Sequence, residues 1–472
     1  MPGAHLRHQA ARDVRYVERL TLLCDDGVKK DLEEHVAQFL LNERILLESK
    51  SLVEFRSLLD QIGSQGLVGL GRIPVAAGTE IAHERERIFK CSLGLHSLPG
   101  SGYTTRPRIG TSMRHDQRRA WVEVDLGALK RNALMLAQRA RVPLLPMVKS
   151  DAYGLGVEAV VWALEPEDPW GYGVATVAEG AQLRSIGVSR PVLVFTPLLA
   201  EEFDECRVHQ LTPTLGDAMR IKAWHSSGGE TWHLGIDTGM NRAGIPWQRV
   251  KELSSLVETS PPEGAFTHFH SADASDGSRA EQEDRFAQAI AQLPRRPKYL
   301  HAENSPALER KSPSRWNLAR PGVALYGVGG GVGSEVAPET VASLNARIVE
   351  IRDVEDGGTV SYGATWRADG WRRIATVSAG YADGIRRSLS NRGSALVNGK
   401  KVPIAGIVTM DMTMLDVTGV DCSIGDVATF LGRQQGEELR ISDVAASGEL
   451  SPYEVLVGLG LRAPRIYLDG DA

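Results

Sequence analysis

Lys149 ends the apolar run Val142–Val148 and is followed at once by the glycine-bearing turn of "KSDAYGLG". The run reads as a buried strand. A lysine at its end either marks where the strand emerges into water or presents an amine at the rim of a cleft. Other reactive residues stand in the same relation to other apolar runs. Asp237 and Arg242 lie in "GIDTGMNRAG", His268 and His270 in "THFHSAD", His301, Asn304 and Ser305 in "HAENS", and Arg320 with Gly322 in "ARPGVALYG". Singly, each has an ordinary role as a core histidine, an ion-pair partner or a helix cap. Falling together at the ends of successive strands, they describe a site. A partly desolvated lysine has a lowered pKa and can form a Schiff base with a carbonyl. A serine hydroxyl and glycine-exposed amides at a helix start can bind a phosphate. An arginine and a flat imidazole can flank a heteroaromatic ring.

The elements that must position these groups are legible from about Val122 onward. "VPLLPMVK", "YGVAT", "RPVLVFT", "LTPTL", "TWHLGID", "GAFTHF", "KYLHAEN" and "ARPGVALYG" alternate with amphipathic stretches such as "VAEGAQLRSIG" and "EQEDRFAQAIAQL". Evenly spaced strands of this number predict a closed (β/α)8 TIM-type barrel. An open doubly wound sheet is the competing α/β arrangement and would not need so many. In a barrel the C-terminal strand ends converge, so the residues above meet at one mouth, and their combined chemistry suits pyridoxal 5'-phosphate (PLP). After about Val341 the helical pattern thins, and "VASLNARIVEIRDV", "RRIATVSAG" and "GDVATFLG" predict a mainly β C-terminal domain. "GVGGGVG" (Gly327–Gly333) lacks the Lys-Ser/Thr of a phosphate loop and is expected to be an interdomain linker. The chain therefore divides into an N-terminal extension (1–116), helical over Val28–Ile62 and otherwise loop or poorly ordered, a barrel (117–340) and a β domain (341–472). Every motif lies after the extension.

Composition excludes several classes. With 54 basic and 59 acidic side chains among 472 residues, the net charge of −5 gives no reason to expect nucleic acid or a membrane as partner. Four scattered cysteines without CxxC pairing predict neither a metal site nor a disulfide framework, and fit the cytoplasm.

At this point the sequence resembles the alanine racemases, PLP enzymes with a barrel followed by a β domain. The resemblance covers roughly residues 119–468 and rests on "VEVDLGALKRN", "MVKSDAYGLG", "HLGIDTGMNRAGI", "THFHSAD", "LARPGVALYG", "VSYGATW", "SAGYADG", "GIVTMDMTMLDV" and "RAPRIY". It implies that Lys149 is the Schiff-base lysine and that Tyr153 sits beside the cofactor. It implies that His268 packs on the cofactor ring, that Arg320 faces the pyridine nitrogen, and that Ser305, Gly322 and Val323 hold the phosphate. Arg242 would steady the catalytic tyrosine and the substrate carboxylate. Tyr362 matches the second catalytic base, since racemisation must take a proton from one face of Cα and return one to the other. The family supplies that tyrosine from a partner subunit, together with the positions of Tyr381, Met410 (through its amide) and Asp411. A homodimer with shared active sites and a small amino-acid substrate is thus implied, making D-alanine for peptidoglycan.

Two positions depart from the pattern. Many relatives carry a carbamylated lysine where this chain has Gly235, and many carry a tyrosine reaching the phosphate where it has Leu461. The second removes a donor and a pocket wall, which makes a racemase of broader scope, acting on serine as well, the alternative. A single-domain PLP-binding regulatory protein would lack the β domain. A related decarboxylase would need a cysteine at the second site, and neither Cys206 nor Cys422 lies in a matching motif.

Overall fold

In the computed structural model, which describes residues 118–468 except residue 312, the first strand, β1 (Ala120–Asp125), runs straight into helix α1 (Leu126–Ala140). Asp125 caps the helix, its carboxylate accepting from the Ala128 amide at 2.8 Å, the role for which Asp is preferred at this position. Arg141 ends it in the left-handed region, its N–H closing on the Ala137 carbonyl. Leu129, Ala133, Leu136 and Ala140, at helical spacing, form the buried face.

Parallel strands then alternate with helices. β2 (Tyr172–Val174), β3 (Val192–Val194), β4 (Thr212–Leu215), β5 (His233–Asp237), the short β6 (Ile245–Pro246), β7 (Gly264–Phe266) and β8 (Tyr299–His301) form one sheet in the order β2-β3-β4-β5-β7-β8, with β6 beside β5. β2, β3 and β4 are buried at every residue, as parallel strands covered by helices must be. Two extended segments close the circle. Leu144 bridges to Ala319 and Met147 to Gly173. The amides of Leu145 and Met147 donate to the carbonyls of Ala319 and Pro321 at 2.7 and 2.9 Å, and those of Asn317 and Arg320 donate to Leu300 and Glu303 at 3.2 and 2.9 Å. Pro143, Pro146 and Pro321 have no N–H to give, so these two staves pair through isolated bridges instead of full ladders. The barrel expected from the strand spacing is present and closed.

Its outer ring has an unexpected member. Helices Val157–Leu164, Val177–Ser185, Phe203–Val208, Ala218–Ser226, Ser254–Thr259, Ser278–Ala291 and Ser305–Arg310 each follow a stave. The place after the last stave is taken by α1, which precedes the barrel in the chain and packs against both Val157–Leu164 and Ser305–Arg310. Arg139 fastens it there, donating to the carbonyls of Leu308 and Glu309 at 2.9 and 3.2 Å.

The β domain is organised by one long strand, β9 (Ala342–Val354). It is followed by β10 (Thr359–Val360), β11 (Trp366–Arg367), β12 (Arg372–Val377), β13 (Ser394–Val397), β14 (Lys400–Pro403), β15 (Thr413–Asp416), β16 (Val427–Gln434), β17 (Glu437–Leu439) and β18 (Arg465–Leu468). The sheet order is β14-β13-β16-β9-β1-β18, with β12 and β15 on the far part of β9. β13 and β14 turn at Asn398-Gly399, both at positive φ (48° and 71°), the Asn-Gly signature of a two-residue hairpin. β1 lies between β9 and β18 in this sheet, although it falls within the stretch expected to form the barrel. The segment leading into α1 thus covers the edge that β9 would otherwise expose, with β18 on its outer side. The Gly327–Gly333 tract forms neither helix nor strand. The helical stretch expected over Val28–Ile62 lies outside the described residues.

The barrel interior holds two fully buried histidines, His233 on β5 and His301 on β8, whose Nδ1 and Nε2 atoms are 2.9 Å apart. Burial lowers the pKa of both rings, opposed at His233 by Glu263, and the Arg320 charge acts with burial on each. The unfolded chain titrates its histidines near 6.5 while the folded rings stay neutral, so this part of the stability is complete above that pH and is lost below it. Urea unfolding should therefore show stability falling from pH 7.5 to 5.5, each histidine contributing up to about 1.4 kcal/mol per pH unit below about 6.5. A flat profile across that window would contradict the assignment.

Candidate active site

The turn after Lys149 is strained. Ser150, Asp151, Ala152 and Tyr153 all lie in the left-handed region, at φ 53°, 53°, 52° and 56°, a conformation costing about 1–2 kcal/mol per non-glycine residue. Surrounding bonds impose it. The Ala152 amide donates to the Val148 carbonyl at 2.9 Å. The Ser150 amide donates to Glu179 Oε1 at 2.8 Å, and Asp151 Oδ1 accepts from the Val157 amide at 2.7 Å. Arg465 donates through Nε and Nη2 to the Gly154 carbonyl at 3.0 and 2.8 Å. Strain held this way is typical of groups fixed for chemistry. It keeps Lys149 half-buried at the barrel mouth and turns Tyr153 inward, its ring 4.7 Å from that of Tyr326.

Around the mouth, three cations act on one another and on His268, with Glu179 and Glu303 opposing. Arg320 is 3% exposed. Its guanidinium donates to the carbonyls of His301, Thr267 and Ala302 at 2.7, 2.8 and 3.2 Å and to His301 Nδ1 at 2.9 Å. Since arginine only donates, His301 must carry its proton on Nε2 and pass the polarity on to His233 Nδ1. His233 then points its own N–H toward Glu263, whose carboxylate is 3.8 Å away. Burial brings the Arg320 pKa down to about 10, opposed by nearby Glu303, and it remains a cation at neutral pH. Burial, with the charges of Arg320, Arg242 and Lys149, pushes the His268 pKa down to about 3, so this ring is flat and neutral. Lys149 has its own pKa lowered by burial first and by Arg242 second, with Glu179 opposing. Lys149, Arg242, His268 and Arg320 are therefore within electrostatic reach of one another, as their places at the strand ends implied.

The remaining cofactor residues converge on the same mouth. Ser305, the residue after the N-cap Asn304, is buried, and its hydroxyl accepts from the amides of Gly322 and Ala324 at 2.9 and 3.1 Å. Val323 opens the helical turn between them. Gly322 faces Tyr153 so closely that a Cβ there would lie 2.6 Å from the phenol oxygen. This cradle fits a phosphate, the neutral imidazole fits a ring face, the buried guanidinium fits a ring nitrogen and the desolvated amine fits a carbonyl carbon. PLP suits the residues present.

Not every expected residue joins the group. His270 is exposed and bonds Ser271 instead. Asp237 acts on the backbone, its Oδ1 accepting from Gly239 and Asn241 and so shaping the turn that leads to Arg242. At Gly235 the nearest atoms to an added Cβ would be those of the Phe266 ring and Gly244, at ordinary distances of 3.5–3.6 Å. Tyr362, Tyr381, Met410 and Asp411 do not belong to the barrel. Those four lie in the β domain and are exposed, Tyr362 most of all at 74%. Tyr362 follows Ser361, which is strained at φ 67°, ψ −176° and anchored by its hydroxyl to the Ile407 carbonyl at 2.7 Å. Two residues escaped the sequence reading. Glu179 was findable from the Thr-x-x-Glu capping box at Thr176. His233 opens a strand in a place with no local signal.

Comparison with known proteins gives one answer. The alanine racemase N-terminal domain profile matches residues 124–329 and the C-terminal domain profile residues 341–467. The alanine racemase of Citrifermentans bemidjiense is 36% identical over 382 residues, covering 75% of this chain and 100% of that protein. That of Deinococcus radiodurans is 38% identical over 356 residues, covering 74% and 98%. The crystal structure of alanine racemase from Bartonella henselae with covalently bound pyridoxal phosphate superposes with a TM-score of 0.69 at 28% identity, covering 74% of this chain and 100% of that one. With both domains matched and relatives aligned along their whole length, the chain belongs to the alanine racemase family of PLP-dependent isomerases.

Proposed function

We propose that the chain interconverts L-alanine and D-alanine by two-base proton transfer, with Lys149 on one face of the substrate Cα and Tyr362 of a partner subunit on the other. The observation that carries this reading is the division of the reactive groups. The amine and its cofactor cradle lie at the barrel mouth, while a tyrosine of the right chemistry stands 74% exposed on a strained loop of the β domain. A second copy of the chain would bring the two together.

When bound, PLP supplies the electron sink that acidifies the substrate Cα–H. The chain's residues do the rest. Lys149, its pKa lowered, holds or releases a proton at the D-face, and Tyr362 does the same at the L-face. Arg320, still a cation, disfavours protonation of the pyridine nitrogen and so limits electron withdrawal that would favour transamination. His268 covers the ring without a charge of its own. Ser305, Gly322 and Val323 hold the phosphate beside Tyr153. Arg242 and the Met410 amide receive the substrate carboxylate, with Tyr381 and Asp411 supporting them. We assign residues 117–340 and 341–472 to these two halves of the chemistry, and 1–116 to neither. A cytoplasmic homodimer feeding D-alanine to peptidoglycan completes the reading, supported by the free, buried Cys206 and Cys422. No helix among the described residues is long and apolar enough to cross a membrane.

A second reading, a racemase that also takes serine, is favoured by Leu461, which is 90% exposed where many relatives place a phosphate-bonding tyrosine. Leu461→Tyr should tighten PLP by about 0.5–1.5 kcal/mol, roughly two- to twelve-fold, and raise the alanine-to-serine ratio of kcat/KM. If spectroscopic PLP titration and both rates are unchanged, the position has no part in specificity.

The shared site has its own test. Lys149→Ala and Tyr362→Phe should each be inactive as homodimers. In a heterodimer of the two, one site collects both defects and the other is intact. Random pairing of equal amounts makes half the dimers mixed, with one working site in two, so about a quarter of wild-type racemisation should return. No recovery, with heterodimers shown to have formed, would overturn the assignment of Tyr362 to the partner.

A further inference from the structure

Arg462 stands just after Leu461, in the turn that leads into β18, and reaches across to two other loops. Its Nε and Nη2 donate to the two oxygens of Asp383 at 2.8 and 2.6 Å. Its Nη1 donates to Asp411 Oδ1 at 2.5 Å, and Nη2 also to the Met410 carbonyl at 3.3 Å. The Asp383 side chain is 4% exposed, and its Oδ2 accepts in addition from the Gly380 amide at 2.9 Å. The loops themselves touch: the amides of Tyr381 and Ala382 donate to the carbonyls of Thr409 and Met410 at 2.9 and 3.1 Å. They are so close that a Cβ on Gly380 would lie 2.2 Å from the Thr409 oxygen. These are the loops that carry Tyr381 and Met410, which project outward from the domain.

We propose that Arg462 is a positioning residue that clamps segment 378–384 against segment 409–412, fixing Tyr381 and the Met410 amide in register to receive a substrate carboxylate. The proposal rests on the shared-site reading above. The geometry suits the task because a planar guanidinium can grip one carboxylate with two N–H groups while a third reaches a different one. Lysine, a point charge on a flexible stem, can neutralise Asp383 but cannot span both carboxylates in fixed geometry. Asp411, with its side chain 59% exposed, ties only the second loop, so its loss leaves no buried charge unpaired.

The test uses the PLP-loaded dimer and two variants, Arg462→Lys and Asp411→Asn. Both should keep the cofactor absorbance and the melting temperature of the parent. Both should raise KM for L-alanine about tenfold while kcat changes less than about threefold, the pattern of lost substrate binding. The inhibition constant for propionate, alanine without its amine, should rise in parallel, since it reports the carboxylate site alone. A purely structural role for Arg462 would move the melting temperature and leave KM and propionate inhibition in place. Unchanged KM and propionate inhibition in both variants, or loss of kcat at constant KM, overturns the clamp. If Arg462→Lys fails to fold, Asp411→Asn decides alone. The complementation assay tests the shared site separately: rescue there, with KM unmoved here, overturns the clamp alone, whereas absent rescue overturns the shared site whatever these variants do.

Discussion

The burial of the Arg320 guanidinium governs the rest of the barrel mouth. A lone cation in so dry a place is costly unless every donor finds an acceptor. Here the acceptors are backbone carbonyls just beyond β7, at the end of β8 and just beyond it, together with the His301 ring. That demand dictates the His301 tautomer, which dictates that of His233, while burial first and the Arg320 charge after it keep both rings neutral. The same charge helps suppress protonation of His268. Two carboxylates oppose these cations and are held in place by amides: Glu303, acting on Arg320, accepts from the Arg315 amide, and Glu179, acting on Lys149, from those of Ser150, Ala175 and Thr176. Lys149, Arg242 and Arg320 together suit an anion carrying a phosphate and a carboxylate.

Strain is concentrated where protons are proposed to move. The left-handed turn after Lys149 is held by several bonds from other segments, and the unusual backbone of Ser361 before Tyr362 is anchored by its hydroxyl. Both domains hold the first: Glu179 belongs to the helix after β2 in the barrel, and β18 of the other sheet supplies Arg465. The β domain holds the second, through the carbonyl of Ile407. In both cases, the rigid scaffold stores the conformational cost so that the reactive side chain does not wander.

β1 and α1 explain how the two halves of the chain stay in register. One strand joins the β sheet, and the helix that follows it without a break completes the barrel's ring. The motifs on the two sides are therefore parts of one framework, even though they serve different sites in the proposed dimer.

Much of this was legible in the residue order. Apolar runs of strand length, helical spacing between them and turn chemistry such as Asn398-Gly399 are local properties, and they sufficed for the barrel and the β domain. Lys149, His268, Ser305 and Arg320 could be singled out because each stands at a strand end, a position that local pattern reveals. The tertiary structure alone decided the remainder. That β1 would leave the barrel for the other sheet, that α1 would take the last place in the ring, that His233 would bond His301, and that Arg462 would join Asp383 to Asp411 all depend on pairs far apart in the chain. Such pairs are set by how the barrel closes and how sheet edges are covered, conditions on the whole fold that no short window of sequence contains.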